Sequence, residues 1–352
     1  MFVKSPPHWS ARPKFRTTVR GPDRTPPPDS VRSCSMRLAL ALDFGGTKVE
    51  GALVDETGAV HSATRFRQPT GSTASSDALR AAVGTVLDSV LEALPVDAEF
   101  LGAGVGSAGP ISLTAGLVSP LNVPAWRDYP LLDQVRERLN AAGFGDAPAR
   151  LRMDGMCITL AEHWVGAAQG YANVMGMIVS TGIGGGLILD GQTVPGPTGN
   201  AGHIGHVEVG GFSDRCACGG TGCVETIASG PKSVAWARAQ GWDGSTGEEL
   251  SAAYAAGDPI AIAAVQRSGR AIGQAIASAT ALDDLEIVAI GGGFSHVTPD
   301  LFDFIRAAIA ERTAFAFVTK VKVVPSGLSG DGPLIGAAAL IHRPELLAES
   351  VR

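Results

Sequence analysis

The 352-residue chain has no apolar run long enough and uninterrupted enough to cross a bilayer, because glycine and charged residues break up each strand-like segment. A membrane partner is therefore not expected. Charge is sparse: Asp, Glu, Lys and Arg make up 18% of residues and sum to −6, which disfavours broad attraction to nucleic acid or anionic lipid. Small molecules are the better expected partners. With 45% apolar content the chain can bury a large core divided between two domains.

Residues 1–35 lack any hydrophobic periodicity. Their seven prolines, and seven Lys or Arg against two Asp, read as a disordered tail. No central apolar segment follows the basic start, so a secretory signal is not expected. Met36 stands directly before the first convincing strand, and the alternative is that translation begins there. N-terminal sequencing of the native protein separates the two.

RLALALDFGGTKVEGALVDETGAVHSATRFRQ reads as three strands, 37–43, 48–55 and 59–68, the last two joined by a turn at Glu56, Thr57 and Gly58. A helix over 76–94 ends before Pro95, and EFLGAGVGS is a further buried strand. This β-β-β-α-β order has an echo: NVMGMIVS, a glycine turn TGIGGG and LILDG again give strand, glycine-rich hairpin, strand. Helices follow at about 156–169, 230–240, 246–256 and 258–280, then the strand LEIVAIGGG, a helix near 299–312, the strand KVKVVPS and a last helix from about Gly332. The class is α/β, and two halves with the same opening hairpin imply two lobes around a ligand-binding cleft. The expected division is a small lobe over 36–153, joined by the terminal helix at about 332–350, and a large lobe over 154–331.

Asp43 ends a strand, and Gly45 and Gly46 permit a tight turn whose amides can point at a phosphate, with Thr47 adding a hydroxyl and Lys48 following. The spacing is neither a P-loop nor a dinucleotide fingerprint. A second set of close-approach amides lies at Thr181, Gly182, Gly184 and Gly185, and a third at Gly291, Gly292 and Gly293. Any one of these could merely close a hairpin. Three in one duplicated chain point to phosphoryl transfer, with Asp43 suited to hold Mg²⁺ and the second turn cradling the phosphates of a nucleotide.

Cys216, Cys218 and Cys223 form C-x-C-x₄-C with glycines at 219, 220 and 222, and His206 is the nearest plausible fourth ligand for tetrahedral Zn²⁺. Disulfides fit poorly, since a Cys-x-Cys pair is strained and the total of five cysteines is odd. A DNA-reading finger would need a basic recognition helix after the ligands, and VETIASGPKSVAWARAQ supplies few basic residues. The expected zinc is structural, pinning the loop that carries Glu225 and the segment around His206. Cys34 and Cys157 read as inert thiols.

In order, LDFGGTKVEGALVD, STGIGGGL, GNAGHIGHVEV, CACGGTGCVE and AIGGG make the chain, over about residues 37–340, resemble the ROK family of bacterial sugar kinases, N-acetylhexosamine kinases and sugar-responsive repressors. The resemblance implies a duplicated actin-like ATPase (ribonuclease H-like) fold and zinc held by His206, Cys216, Cys218 and Cys223. It implies transfer of the γ-phosphate of ATP, with Mg²⁺, to a sugar hydroxyl in the cytoplasm, by a homo-oligomer (dimer or tetramer). It also assigns the catalytic base to Asp154 in LRMDGMCITLAEHW, where a carboxylate follows a strand at 150–153 and opens a helix. The bland alternative for Asp154 is a helix N-cap. Sugar contacts fall by resemblance on Asn122, Met153, His203, His206 and Glu225. Two of these depart from the family pattern: Met153 stands where asparagine is usual and His203 where glutamate is usual, which changes the expected sugar contacts. Trp126 either packs on the sugar ring or anchors its loop. Glu162, His163 and Trp164 read as packing and surface residues, and His296 as a neighbour of the adenine. Two rivals are a repressor, which would need an N-terminal helix-turn-helix before the core, and a sugar-binding protein without turnover, which Met153 and His203 motivate.

Overall fold

RLALALDF is apolar at nearly every position, the pattern of a strand covered on both faces, and everything from Leu38 to Phe44 is buried. The structure is a computed structural model that describes residues 35–328 and 330–348, so the expectations for the tail and Cys34 lie outside the described residues. The first half of the chain contributes β1 (Arg37–Phe44), β2 (Lys48–Asp55), β3 (Phe66–Pro69), α1 (Ser76–Glu92) and β4 (Glu99–Ser107). After it come a small ribbon of β5 (Ile111–Ser112) and β6 (Leu117–Val118), then α2 (Leu131–Ala141) and β7 (Ala149–Met153). The second half contributes α3 (Asp154–Trp164), β8 (Val174–Val179), β9 (Ile183–Leu189), β10 (Gln192–Thr193), α4 (Val224–Ala228), α5 (Gly230–Ala239) and α6 (Gly247–Ala255). It closes with α7 (Pro259–Asp283), β11 (Ile287–Gly291), α8 (Asp300–Arg312), α9 (Ala316–Thr319), β12 (Lys322–Pro325) and α10 (Gly332–His342).

The two large sheets have one topology. Their orders are β3-β2-β1-β4-β7 and β10-β9-β8-β11-β12, each the third, second, first, fourth and fifth strand of its sheet in chain order. In both, the opening meander is antiparallel and the later strands add in parallel. This is the duplicated actin-like ATPase fold. The parallel strands present their carboxyl ends, where ligands bind in open α/β sheets, at Phe44, Ser107 and Met153 in one sheet and at Val179 and Gly291 in the other.

Two helices join the halves. α3 packs on β8 and β9, α10 packs on β1 and β4, and the two helices pack on each other. The apolar cluster there is rich in alanine, including Ala39, Ala41, Ala337, Ala338 and Ala339. Contact is made backbone to backbone: a Cβ on Gly336 would lie 1.8 Å from the Cys157 carbonyl oxygen, and one on Gly155 would lie 2.3 Å from the Gly185 carbonyl oxygen. No side chain fits at such distances.

Several elements differ from the sequence expectations, each for a local reason. Gly184, Gly185 and Gly186 are not a turn; they lie inside β9, opposite Ile178, Met177 and Gly176, and the turn is confined to Ser180–Gly182. Bare backbone in β9 is what lets the start of α3 rest on it. The strand expected over 59–68 is interrupted, because the Thr64 hydroxyl accepts the Leu53 N–H (2.9 Å) in place of a ladder partner, and β3 begins only at Phe66. α3 starts at Asp154 and ends at Trp164 instead of near 169, since the buried Glu162 carboxylate accepts the Ala167 N–H (2.8 Å) and turns the chain. The last helix stops at His342, two residues before Pro344. α2 was not anticipated, although Leu131, Leu132, Val135 and Leu139 have helical spacing and are buried. No helix among the described residues is long and apolar enough to cross a membrane.

Candidate active site

Asp154 is the first residue of α3, directly after β7, so the strand end delivers it to the gap between the sheets. The β1–β2 turn approaches from one side and the β8–β9 turn from the other. They enclose a cavity of about 260 Å³ lined by Asp43, Gly45, Gly46, Thr47, Lys48, Asn122, Met153 and Asp154 from the first direction. Thr181, Gly182, Gly184, Gly185, His203, His206 and Glu225 line it from the second. Asn122 reaches it because its loop rests on the first turn, where a Cβ on Gly46 would lie 3.1 Å from the Asn122 Cβ.

Ser180 and Thr181 also line a neighbouring cavity of about 800 Å³, whose other walls come from α5, the start of α6 and the segment after β11, including Arg238, Thr246, Gly293 and His296. Of the third glycine cluster only Gly293 lines it. Gly291 and Gly292 line neither cavity; Gly292 has φ +96° and passes so close to β8 that a Cβ would lie 2.6 Å from the Val179 carbonyl oxygen. Gly291 ends β11, and Gly292 turns the chain after it.

The small cavity is strongly acidic. Burial, then the charge of Asp154, push the Asp43 carboxyl up to about 7 despite the opposing pull of Lys48. Burial likewise raises Asp154 to about 6, with Glu225 adding to it and the Gly155 N–H, 2.7 Å away, opposing. Two buried carboxyls that resist ionisation together are a natural seat for a divalent cation. An Asp154 poised near neutrality also suits proton abstraction. His203 is held below the ordinary imidazole range by burial and by His206, whose ring stacks at 4.9 Å. Glu225 accepts the Ile183 N–H (2.9 Å), which ties the helix after the cysteine loop to the β8–β9 turn.

The ligating atoms of His206, Cys216, Cys218 and Cys223 all lie within 4.8 Å of one another. Tetrahedral zinc, with bonds of about 2.3 Å to sulfur and about 2.0 Å to nitrogen, needs S···S near 3.8 Å and S···N near 3.6 Å. Cys218 and Cys223 sulfurs are 3.7 Å apart, and Cys216 Sγ is 3.5 Å from His206 Nδ1. The donor set and its spacing fit that ion.

A model of the ROK family matches residues 39–344. The chain belongs to the ROK family. It is 31% identical over 311 residues to the N-acetylmannosamine kinase of Yersinia pseudotuberculosis, covering 86% of this chain and 98% of that protein. It is 29% identical over 318 residues to the glucokinase of Thermotoga maritima, covering 86% and 96%. Among solved structures it is similar to a ROK family glucokinase from Streptomyces griseus in complex with glucose and AMPPNP, with TM-score 0.73, 28% identity and coverage of 87% and 99%.

Within this ROK chain the structure specifies what several of these residues do. Trp126 is fully buried and stacked between Phe44 (4.3 Å) and Tyr129 (3.8 Å), so it anchors the Asn122 loop and does not line the cavity. Glu162 is buried and pins loops, accepting from Ala167 and Gly327. Met153, 2% exposed, forms a wall with Gly109, where a Cβ would lie 2.9 Å from its sulfur and 3.4 Å from His203 Cε1. Glu50, Arg65 and Arg67 were missed, although Lys48, their neighbour, was not. Their signal was the alternation of charge on one strand face, Lys48 and Glu50 against Arg65 and Arg67.

Proposed function

We propose that this ROK protein is an ATP-dependent sugar kinase that transfers the γ-phosphate to a hydroxyl of a hexose or N-acetylhexosamine. The observation that carries the reading is the placement of Asp154: it stands in the small cavity between the two turns, and a larger cavity shares Ser180 and Thr181 with it as lining. The sugar occupies the small cavity and the nucleoside the larger one, which puts the terminal phosphates beside Gly45, Gly46, Thr181 and Gly182. Asp154 takes the proton from the attacking hydroxyl, worth about 10²–10⁴ in rate for a positioned base. Asn122, His203, His206 and Glu225 orient the sugar, and Met153 gives it an apolar wall.

Asp43 is the residue that would hold Mg²⁺, whose chemistry is to offset charge on the transferring phosphate. Zinc on His206, Cys216, Cys218 and Cys223 is structural: it fixes His206 and the start of α4, and so Glu225. The two sheets act as lobes, 36–153 with α10 and 154–331, that close on the substrates and exclude water. A cytoplasmic homo-oligomer is the setting the family suggests.

The test is ADP release with Mg·ATP across hexoses, hexosamines and N-acetylated hexosamines, alongside calorimetric binding of each sugar. Turnover with at least one sugar is expected. Sugar binding with no turnover from any of them would sink the kinase reading and favour a sensor, the second reading that Met153 and His203 motivate.

A further inference from the structure

Lys48 is the only Lys or Arg among the described residues lining the acidic small cavity. It is not free there. On β2, Lys48 and Glu50 share one strand face, and the Lys48 ammonium donates to the Glu50 carboxylate. Directly across the ladder, Glu50 faces Asp43 on β1 and Arg67 on β3. Arg67 donates to Glu50 Oε1 at 2.8 Å, and Arg65 Nε donates to the same oxygen at 2.6 Å. Arg65 also donates to Asp331, the residue before α10. One buried carboxylate, 2% exposed, thus gathers three cations. Burial alone would raise its pKa, but the hydrogen bonds from Arg65, Lys48 and Arg67 bring it down to about 2, so it is ionised at neutral pH.

The arrangement has a surplus. A buried carboxylate stranded without a cation is costly, yet if Lys48 leaves, Glu50 keeps two guanidinium partners. Lys48 alone among the three lines the cavity. Its resting position keeps it beside the site, and an ammonium with three N–H donors can keep Glu50 while donating to an arriving anion. Holding the side chain there also removes part of the rotamer entropy that a free lysine would lose on binding.

We propose that Glu50 is a positioning residue: it holds the Lys48 ammonium at the cavity wall and keeps it there while the other N–H donors of that ammonium meet the phosphates of the bound nucleotide, with Arg65 and Arg67 fixing the carboxylate. The proposal rests on the nucleotide reading above. It is tested by a double-mutant cycle on the full chain, read as calorimetric binding of Mg·AMP-PNP and as KM for ATP against kcat. K48M and E50Q each weaken binding about tenfold, the scale of one charge-assisted hydrogen bond. The double variant binds no more weakly than K48M alone, and E50D recovers part of the loss.

R67M supplies a second arm that does not touch a buried residue, since Arg67 is more than half exposed. It weakens Mg·AMP-PNP binding severalfold in the wild-type background and leaves it unchanged in K48M. Melting temperatures of the unliganded protein read the contact itself: losses from E50Q and K48M fall short of additive there, because the two side chains touch. Equal binding losses from E50Q or R67M in both backgrounds, or wild-type affinity in K48M, would overturn the proposal. A wild-type protein that does not bind Mg·AMP-PNP overturns the nucleotide reading itself, a result distinguishable from a failed cycle.

Discussion

Replacing Asp154 by asparagine separates function from stability, because the structure sets the two against each other. The Asp154 carboxyl is raised from 3.8 to about 6 by burial foremost. A shift of about two units corresponds to about 3 kcal/mol of unfavourable ionisation at about 1.4 kcal/mol per unit, reduced to about 2 kcal/mol for its partial solvent access. Because the folded pKa lies above the unfolded one, the fold prefers the protonated acid. The penalty is absent below about pH 4, grows as pH rises, and is complete above about pH 6. Asparagine keeps an acceptor for the Gly155 N–H and carries no charge. D154N should therefore be more stable than wild type by about 2 kcal/mol at pH 8, a rise of about 3 °C in Tm for a chain of this size, and indistinguishable from it at pH 4. Its kcat should fall about 10²–10⁴-fold, and wild-type kcat/KM should climb with pH through about 6. The assays are thermal melts in EDTA without nucleotide between pH 4 and 8, and coupled ADP release. A variant no more stable than wild type at pH 8, or a gap that persists on acidification, would show that burial does not set this carboxyl's ionisation.

Elemental analysis of the purified protein should find one zinc per chain; C223S should lose it and raise the sugar KM more than the ATP KM, and equal effects on both would argue against a link from the cysteine loop to His206 and Glu225. G336A must push a methyl toward the Cys157 carbonyl oxygen, 1.8 Å from its ideal site, so chemical denaturation should show a loss of about 3 kcal/mol or no soluble protein. A neutral G336A would mean that α3 and α10 can separate freely. M153N should shift kcat/KM about tenfold toward acceptors with a hydroxyl against that wall and away from their deoxy counterparts; an unchanged ratio would remove Met153 from the sugar site.

Much of the architecture could be read locally. The β1–β2 hairpin, α1 and β4 fell where apolar periodicity and turn residues placed them, because each of those signals acts within a few residues. The cysteine loop was legible for the same reason: its ligands are close in sequence, and the described sulfurs and His206 nitrogen do converge. Asp154 was placed by the strand before it and by resemblance, not by any pattern in its own neighbourhood. The β9 glycines were misread because a glycine cluster serves equally for a turn and for a strand on which another backbone rests. What distinguishes them is Gly155, thirty positions earlier in the chain. The same ambiguity covers Gly291 and Gly292, which line neither cavity, and Trp126 could be assigned to the core only once Phe44 and Tyr129 were seen on its two faces.

The amino-acid sequence by itself determined the strands, the repeated hairpin, the cluster of cysteines and histidine and the identity of the carboxylates, since these follow from side-chain chemistry and from periods of two and 3.6 residues. Tertiary structure alone decided which glycines face substrate space and which face another backbone. It decided that a carboxyl on β1 and one at the start of α3 share a cavity in which burial raises the pKa of both, and that Glu50 collects cations from its own strand and from residues 65–67. Those outcomes depend on distances between segments far apart in the chain, and on the loss of water around them, neither of which any local run of residues encodes.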